Sequence, residues 1–128
     1  MEQPVSEFKS KSGLKRIFSA FFYSIDGFKA AWRNEHAFRQ ELMLFVPGCV
    51  VALLLPVSAY QKLLLIGVLV LVLIVELINS AIEAVVDRIS LERHPLSKNA
   101  KDFGSAAVML ACLLAGATWA VVLFTRFY

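Results

Sequence analysis

The chain alternates between long apolar runs and short charged clusters. From Leu63 to Val75, thirteen consecutive residues carry no polar side chain, a composition suited to lipid. Two runs of similar character flank it, LMLFVPGCVVALLLPVSAY between Glu41 and Gln61, and FGSAAVMLACLLAGATWAVVLF from Phe103 to Phe124. About 20 residues of helix cross a hydrocarbon core, so the pattern predicts three transmembrane helices, over about 36–56, 60–88 and 100–125. The first is expected to open with a polar turn near Asn34 and to bend at Pro47. Leu55-Pro56-Val57-Ser58 reads as the tight turn before the second. Upstream, Leu14, Ile17, Phe18, Phe21, Ile25 and Phe28 recur at three- and four-residue steps, while Lys15, Ser19, Asp26 and Lys29 fall mostly elsewhere. That is the pattern of an amphipathic helix over about 13–33, lying on the membrane surface. On periodicity alone it reads as an anchor.

Composition supports the same class. The 128 residues are 59% hydrophobic with mean hydropathy +0.68, well above the balance of a soluble domain, and 1–128 is read as a single domain. Cys49 and Cys112 lie in apolar stretches without a thiol or histidine at ligand spacing, so they read as small hydrophobic fillers. The first apolar cluster is short and interleaved with charge, unlike a secretory signal. Lys and Arg set the orientation. Lys9, Lys11, Lys15, Arg16, Lys29, Arg33 and Arg39 precede the first span, whereas the first loop holds only Lys62. The second loop holds Arg88, Arg93, Lys98 and Lys101, and the tail holds Arg126. The N-terminus and second loop are therefore predicted cytoplasmic, the first loop and C-terminus external.

The candidate chemistry sits where the second span turns polar, in VELINSAIEAVVD. With Glu76 as zero and about 100° per residue, Asn79 falls near −60°, Glu83 near −20° and Asp87 near +20°. All four share one stripe. A carboxylate at membrane depth costs at least about 2.5 kcal/mol and marks function; a packing seam would need one polar group, not two carboxylates. The deeper Glu76 suits a general base acting on a hydroxyl. The shallower Glu83 suits a hard cation such as Mg²⁺, with Glu35 at the start of the first span as a second ligand. Glu92, Arg93, His94, Lys98, Lys101 and Asp102 are read as the facing cytoplasmic loop, where Lys101 can hold a phosphate. Neither a GxxxxGK[ST] loop nor a soluble-kinase glycine loop occurs. The residues alone thus lead to a small membrane protein with a carboxylate site at its cytoplasmic edge.

VELINSAIEAVVDR, with AWRNEHAFRQE and AKDFGSAAV, resembles the prokaryotic diacylglycerol kinase family over nearly the whole chain from about Gly13. The resemblance implies an all-α membrane protein: a surface helix plus three transmembrane helices, in a homotrimeric bundle with active sites shared between protomers. It implies transfer of the ATP γ-phosphoryl group to diacylglycerol, giving phosphatidic acid, in the bacterial cytoplasmic (inner) membrane, with no nucleic-acid partner. By motif, Glu76 matches the catalytic base and Asn79 its polar neighbour, while Glu35 and Glu83 match Mg²⁺ ligands that reach the nucleotide. Arg16, Tyr23, Glu92, Arg93, His94, Lys101 and Asp102 match ATP contacts. Arg16, Trp32, Ala37, Phe38, Arg39, Gln40, Glu41 and Ser105 match the lipid site. This makes the surface helix part of the site. Pro47, Leu55-Pro56 and Ser90-Leu91 depart from some relatives. Two rival functions stand beside this one, an undecaprenol kinase of the same chemistry and a proton- or ion-conducting subunit.

Overall fold

The computed structural model describes residues 12–128, all helix apart from short connections. Lys9 and Lys11, counted above for orientation, lie outside the described residues. The described residues form four helices: α1 (Gly13–Asn34), α2 (His36–Leu54), α3 (Ala59–Ile89) and α4 (Pro95–Phe127). The chain divides into two compact units, one ending at Glu35 and the other running from His36 to Tyr128.

The first unit contains α1, which begins at Gly13 with φ +52°, a left-handed conformation that glycine adopts without steric cost. Its last bond runs from the Glu35 backbone N–H to the Ala31 carbonyl.

In the second unit, α2, α3 and α4 are each long and apolar enough to cross a membrane. α2 continues as helix through Pro47. It stops at the predicted turn, where the Leu55 N–H bonds the Val51 carbonyl and the Val57 N–H bonds the Leu55 carbonyl. Ser58 and Gln61 then open α3 with a capping box, each side chain accepting from the other's backbone N–H, which satisfies two N–H groups that lack helical partners. Two cations close the same end of the unit: Lys62 Nζ donates to the Leu53 carbonyl at 2.7 Å and Arg126 Nε to the Pro56 carbonyl at 2.6 Å.

α3 and α4 pair antiparallel. Leu65, Val68, Val72, Glu76 and Asn79 are the buried positions of α3, at steps of three and four that keep one face inward. Gly104, Ala111, Ala115 and Val122 are those of α4. Val68 and Val72 pack on Ala111 and Ala115, and Leu65 packs with Ala52 and Val122. Between apolar helices in lipid, close packing of small residues supplies the attraction. Trp119 spans both clusters, and its Nε1 donates to the Leu65 carbonyl at 3.2 Å. α2 approaches α3 at Gly48, where an added Cβ would lie 2.8 Å from Leu69 Cδ1.

Two expectations are corrected. The small-residue row Ala107, Ala111, Ala115, which four-residue spacing puts forward as the packing face of the third span, holds at Ala111 and Ala115 but not at Ala107, which is exposed while Gly104 is buried. Four-residue steps drift about 40° each around a helix, whereas seven-residue steps drift only about 20°, so the seven-apart pair Gly104 and Ala111 stays on the seam. And α4 starts at Pro95, so Lys98, Lys101 and Asp102 are helical rather than loop residues. Pro95 at the first position suits a helix start, and His94 Nδ1 accepts the Leu96 N–H at 3.1 Å.

Candidate functional site

The site is built from the polar end of α3 and the first turns of α4. At about 1.5 Å per residue, α3 is about 46 Å long against a hydrocarbon core of about 30 Å. If lipid covers the run that begins at Leu63, about twenty residues reach Ile82. Glu76 then lies within the hydrocarbon, and Glu83 and Asp87 lie beyond its edge.

Glu76 and Asn79 are buried, 5% and 8% exposed. The Glu76 carboxyl lies beside that of Glu41, on the second turn of α2, and Glu41 Oε2 is buried without a hydrogen-bond partner. One turn on, Asn79 Nδ2 donates to Glu83 Oε1 at 3.4 Å. Asp87 Oδ1 accepts from Lys101 Nζ at 2.7 Å, both side chains about half exposed, a pairing worth little in stability at such exposure. The stripe inferred from helical spacing is therefore present: Glu76 meets α2, while Asn79 and Asp87 meet α4.

Beyond it opens a cleft of about 780 Å³, formed by the end of α3, the loop 90–94 and the start of α4, within the range of small-molecule sites. Asp87, Glu92, Arg93, His94, Lys98 and Lys101 line it together with apolar residues. Of the residues expected to contact nucleotide, Glu92, Arg93, His94 and Lys101 are thus brought together. Asp102 is paired with Lys98 on the adjoining helical face.

The remaining candidates are distributed as follows. Arg16, Tyr23 and Trp32 are on α1, and Glu35 closes it, all in the first unit. Ala37, Phe38, Arg39, Gln40 and Glu41 occupy the first two turns of α2, where Phe38 is buried and Arg39 bonds His36 Nδ1 at 3.4 Å. Ser105 is exposed beside buried Gly104. Sequence reasoning missed that Glu41 meets Glu76, because the two lie on different helices with no shared periodicity. It also missed that Gly104 abuts Asn79, for which the only available signal was a glycine in an otherwise good helix-forming segment.

Among the described residues, no three His, Cys, Asp or Glu side chains converge as a metal cage. Mg²⁺ is usually held by one or two carboxylates, with phosphates and water completing its shell. Half-buried Glu83, with Asn79 orienting it and the cationic cleft alongside, fits that kind of site.

Comparison with known proteins gives a consistent answer. The family profile described as prokaryotic diacylglycerol kinase matches residues 22–123. The chain is 58% identical over 118 residues to a diacylglycerol kinase of Pseudomonas aeruginosa, covering 92% of this chain and 96% of the relative. It is 51% identical over 116 residues to that of Escherichia coli K12, covering 91% and 95%. It is 42% identical over 113 residues to that of Haemophilus influenzae, covering 88% and 96%.

Proposed function

This chain belongs to the prokaryotic diacylglycerol kinase family, and on that premise we propose that it transfers the γ-phosphoryl group of ATP to the free hydroxyl of diacylglycerol, giving phosphatidic acid at the cytoplasmic face of a bacterial inner membrane. One observation supports this beyond membership: a single stripe runs from buried Glu76 through Asn79 to Glu83 and ends at a cleft lined by Arg93, His94 and Lys101. A lipid hydroxyl reaches such a site from the membrane, and a nucleotide reaches it from water.

Phosphoryl transfer depends on positioning and on neutralising charge. Glu76 accepts the hydroxyl proton as the oxygen attacks phosphorus. Asn79 orients Glu83. Lys101 and Arg93 offset charge on the phosphates, Lys101 exchanging Asp87 for a phosphate oxygen. Arg16, Tyr23, Glu92, His94 and Asp102 complete the nucleotide contacts. Trp32, Ala37, Phe38, Arg39, Gln40, Glu41 and Ser105 line the lipid site. Glu35 and Glu83 would hold Mg²⁺, which would supply neutralisation of the phosphate charge. Three such chains assemble as a trimer whose sites are shared, with the N-terminus cytoplasmic, the C-terminus external and α1 on the membrane surface.

The test is transfer of labelled phosphate from ATP in detergent micelles, with diacylglycerol and undecaprenol offered side by side. Labelled phosphatidic acid is the expected major product. Labelled undecaprenyl phosphate keeps the mechanism and changes the substrate. Labelling of neither lipid by folded protein overturns the kinase reading and directs attention to ion flux in liposomes.

A further inference from the structure

Asn79 poses a problem that its own helix does not solve. It is buried, its Nδ2 reaches Glu83, and its Oδ1 has no hydrogen-bond partner. The reverse amide orientation would bring two acceptor oxygens face to face, so the chemistry assigns the NH₂ to Glu83. What holds the amide there comes from α4. A Cβ built on Gly104 would lie 2.1 Å from Asn79 Oδ1 and 3.2 Å from its Cγ, so no other residue fits there without moving the amide. Glycine in mid-helix is less favourable than alanine by about 1 kcal/mol. By contrast, a Cβ on Gly67 or Gly116, also inside helices α3 and α4, would meet nothing within 4 Å. Gly104 alone among the glycines of α3 and α4 is therefore shaped around a polar side chain.

We propose that Gly104 is a positioning residue for the reaction: the notch left by its missing side chain seats the Asn79 amide against α4, where its NH₂ aims the Glu83 carboxylate at a divalent cation. The Oδ1 occupies the space that a Cβ at position 104 would fill. The proposal rests on the assignment of Glu83 to Mg²⁺ made above. Loss of a residue that orients a metal ligand weakens metal binding about 10- to 100-fold, and that loss is the expected signature.

The experiment uses the full chain in micelles and compares wild type, Gly104→Ala, Asn79→Ala, the Asn79→Ala/Gly104→Ala double variant, Glu83→Gln, and Gly67→Ala as a helix-glycine control. It reads the Mg²⁺ concentration giving half-maximal activity at saturating ATP and lipid. It also reads Mn²⁺ bound by the protein with a non-hydrolysable ATP analogue, by electron paramagnetic resonance. Gly104→Ala is expected to raise half-saturating Mg²⁺ and weaken Mn²⁺ binding about 10-fold or more, and Gly67→Ala to change neither. Adding Gly104→Ala to Asn79→Ala is expected to cost nothing further, because the clash is gone. A Gly104→Ala chain that fails to fold while the double variant folds also supports the proposal. Additive losses, or a double variant that fails to fold, would assign Gly104 to helix packing and overturn it. So would Gly104→Ala with wild-type cation dependence while Glu83→Gln shifts it. If Glu83→Gln itself shifts neither readout, the metal assignment falls and takes this proposal with it, a result distinct from failure at Gly104 alone.

Discussion

At the scale of single residues, the membrane edge makes the side chains unequal. Glu76 is buried beside a second carboxyl, whereas Glu83, two turns on, is half buried beside an amide and near a cationic cleft. The two glutamates are alike in composition and opposite in setting, which is how the proposed base and the proposed metal ligand can come from the same residue type. Glu76→Gln keeps the shape of the site and removes its base. Turnover should fall about 10²- to 10⁴-fold, the usual worth of a general base, while nucleotide affinity, measured by equilibrium binding in micelles, stays near wild type. Near-normal turnover would reject Glu76 as the base. The stripe itself was legible in the sequence because a helix of known period converts spacing directly into angle. The Glu41–Glu76 contact was not, because it depends on how two helices are placed, which no local pattern encodes.

At the scale of elements, hydropathy located the three long helices closely, because lipid tolerates only helices whose backbone groups are all bonded internally. The beginning of α4 was misjudged for the complementary reason. Lys98, Lys101 and Asp102 lower the hydropathy, yet Pro95 and the His94 cap start the helix well before the membrane does. That extension matters for chemistry, since it holds Lys101 on a rigid turn opposite Asp87 rather than on a loop. At the other end, the Ser58–Gln61 capping box is a local device remote from the proposed chemistry. Ser58→Ala should cost about 1 kcal/mol. The check is thermal inactivation in micelles, where the midpoint should fall while activity well below it is retained. An unchanged midpoint would mean that the α2–α3 turn is held by Lys62 and Arg126 alone.

For the whole molecule, less than a third of even the best-packed span is buried within one chain. The rest must meet lipid or further copies. A trimer with shared sites makes a sharp prediction for mixtures: Glu35→Gln chains and Glu76→Gln chains, each inactive alone, should regain a fraction of wild-type activity when unfolded together and reassembled. No recovery would mean that each site draws both glutamates from one chain. The unit from His36 onward also carries its own reporter. Trp119 is tied to the Leu65 carbonyl across the α3–α4 seam, and the only other tryptophan, Trp32, is on α1. In a Trp32→Phe chain, the remaining emission would come from that seam alone. Its wavelength would then signal when the two helices part, optically and without an added label.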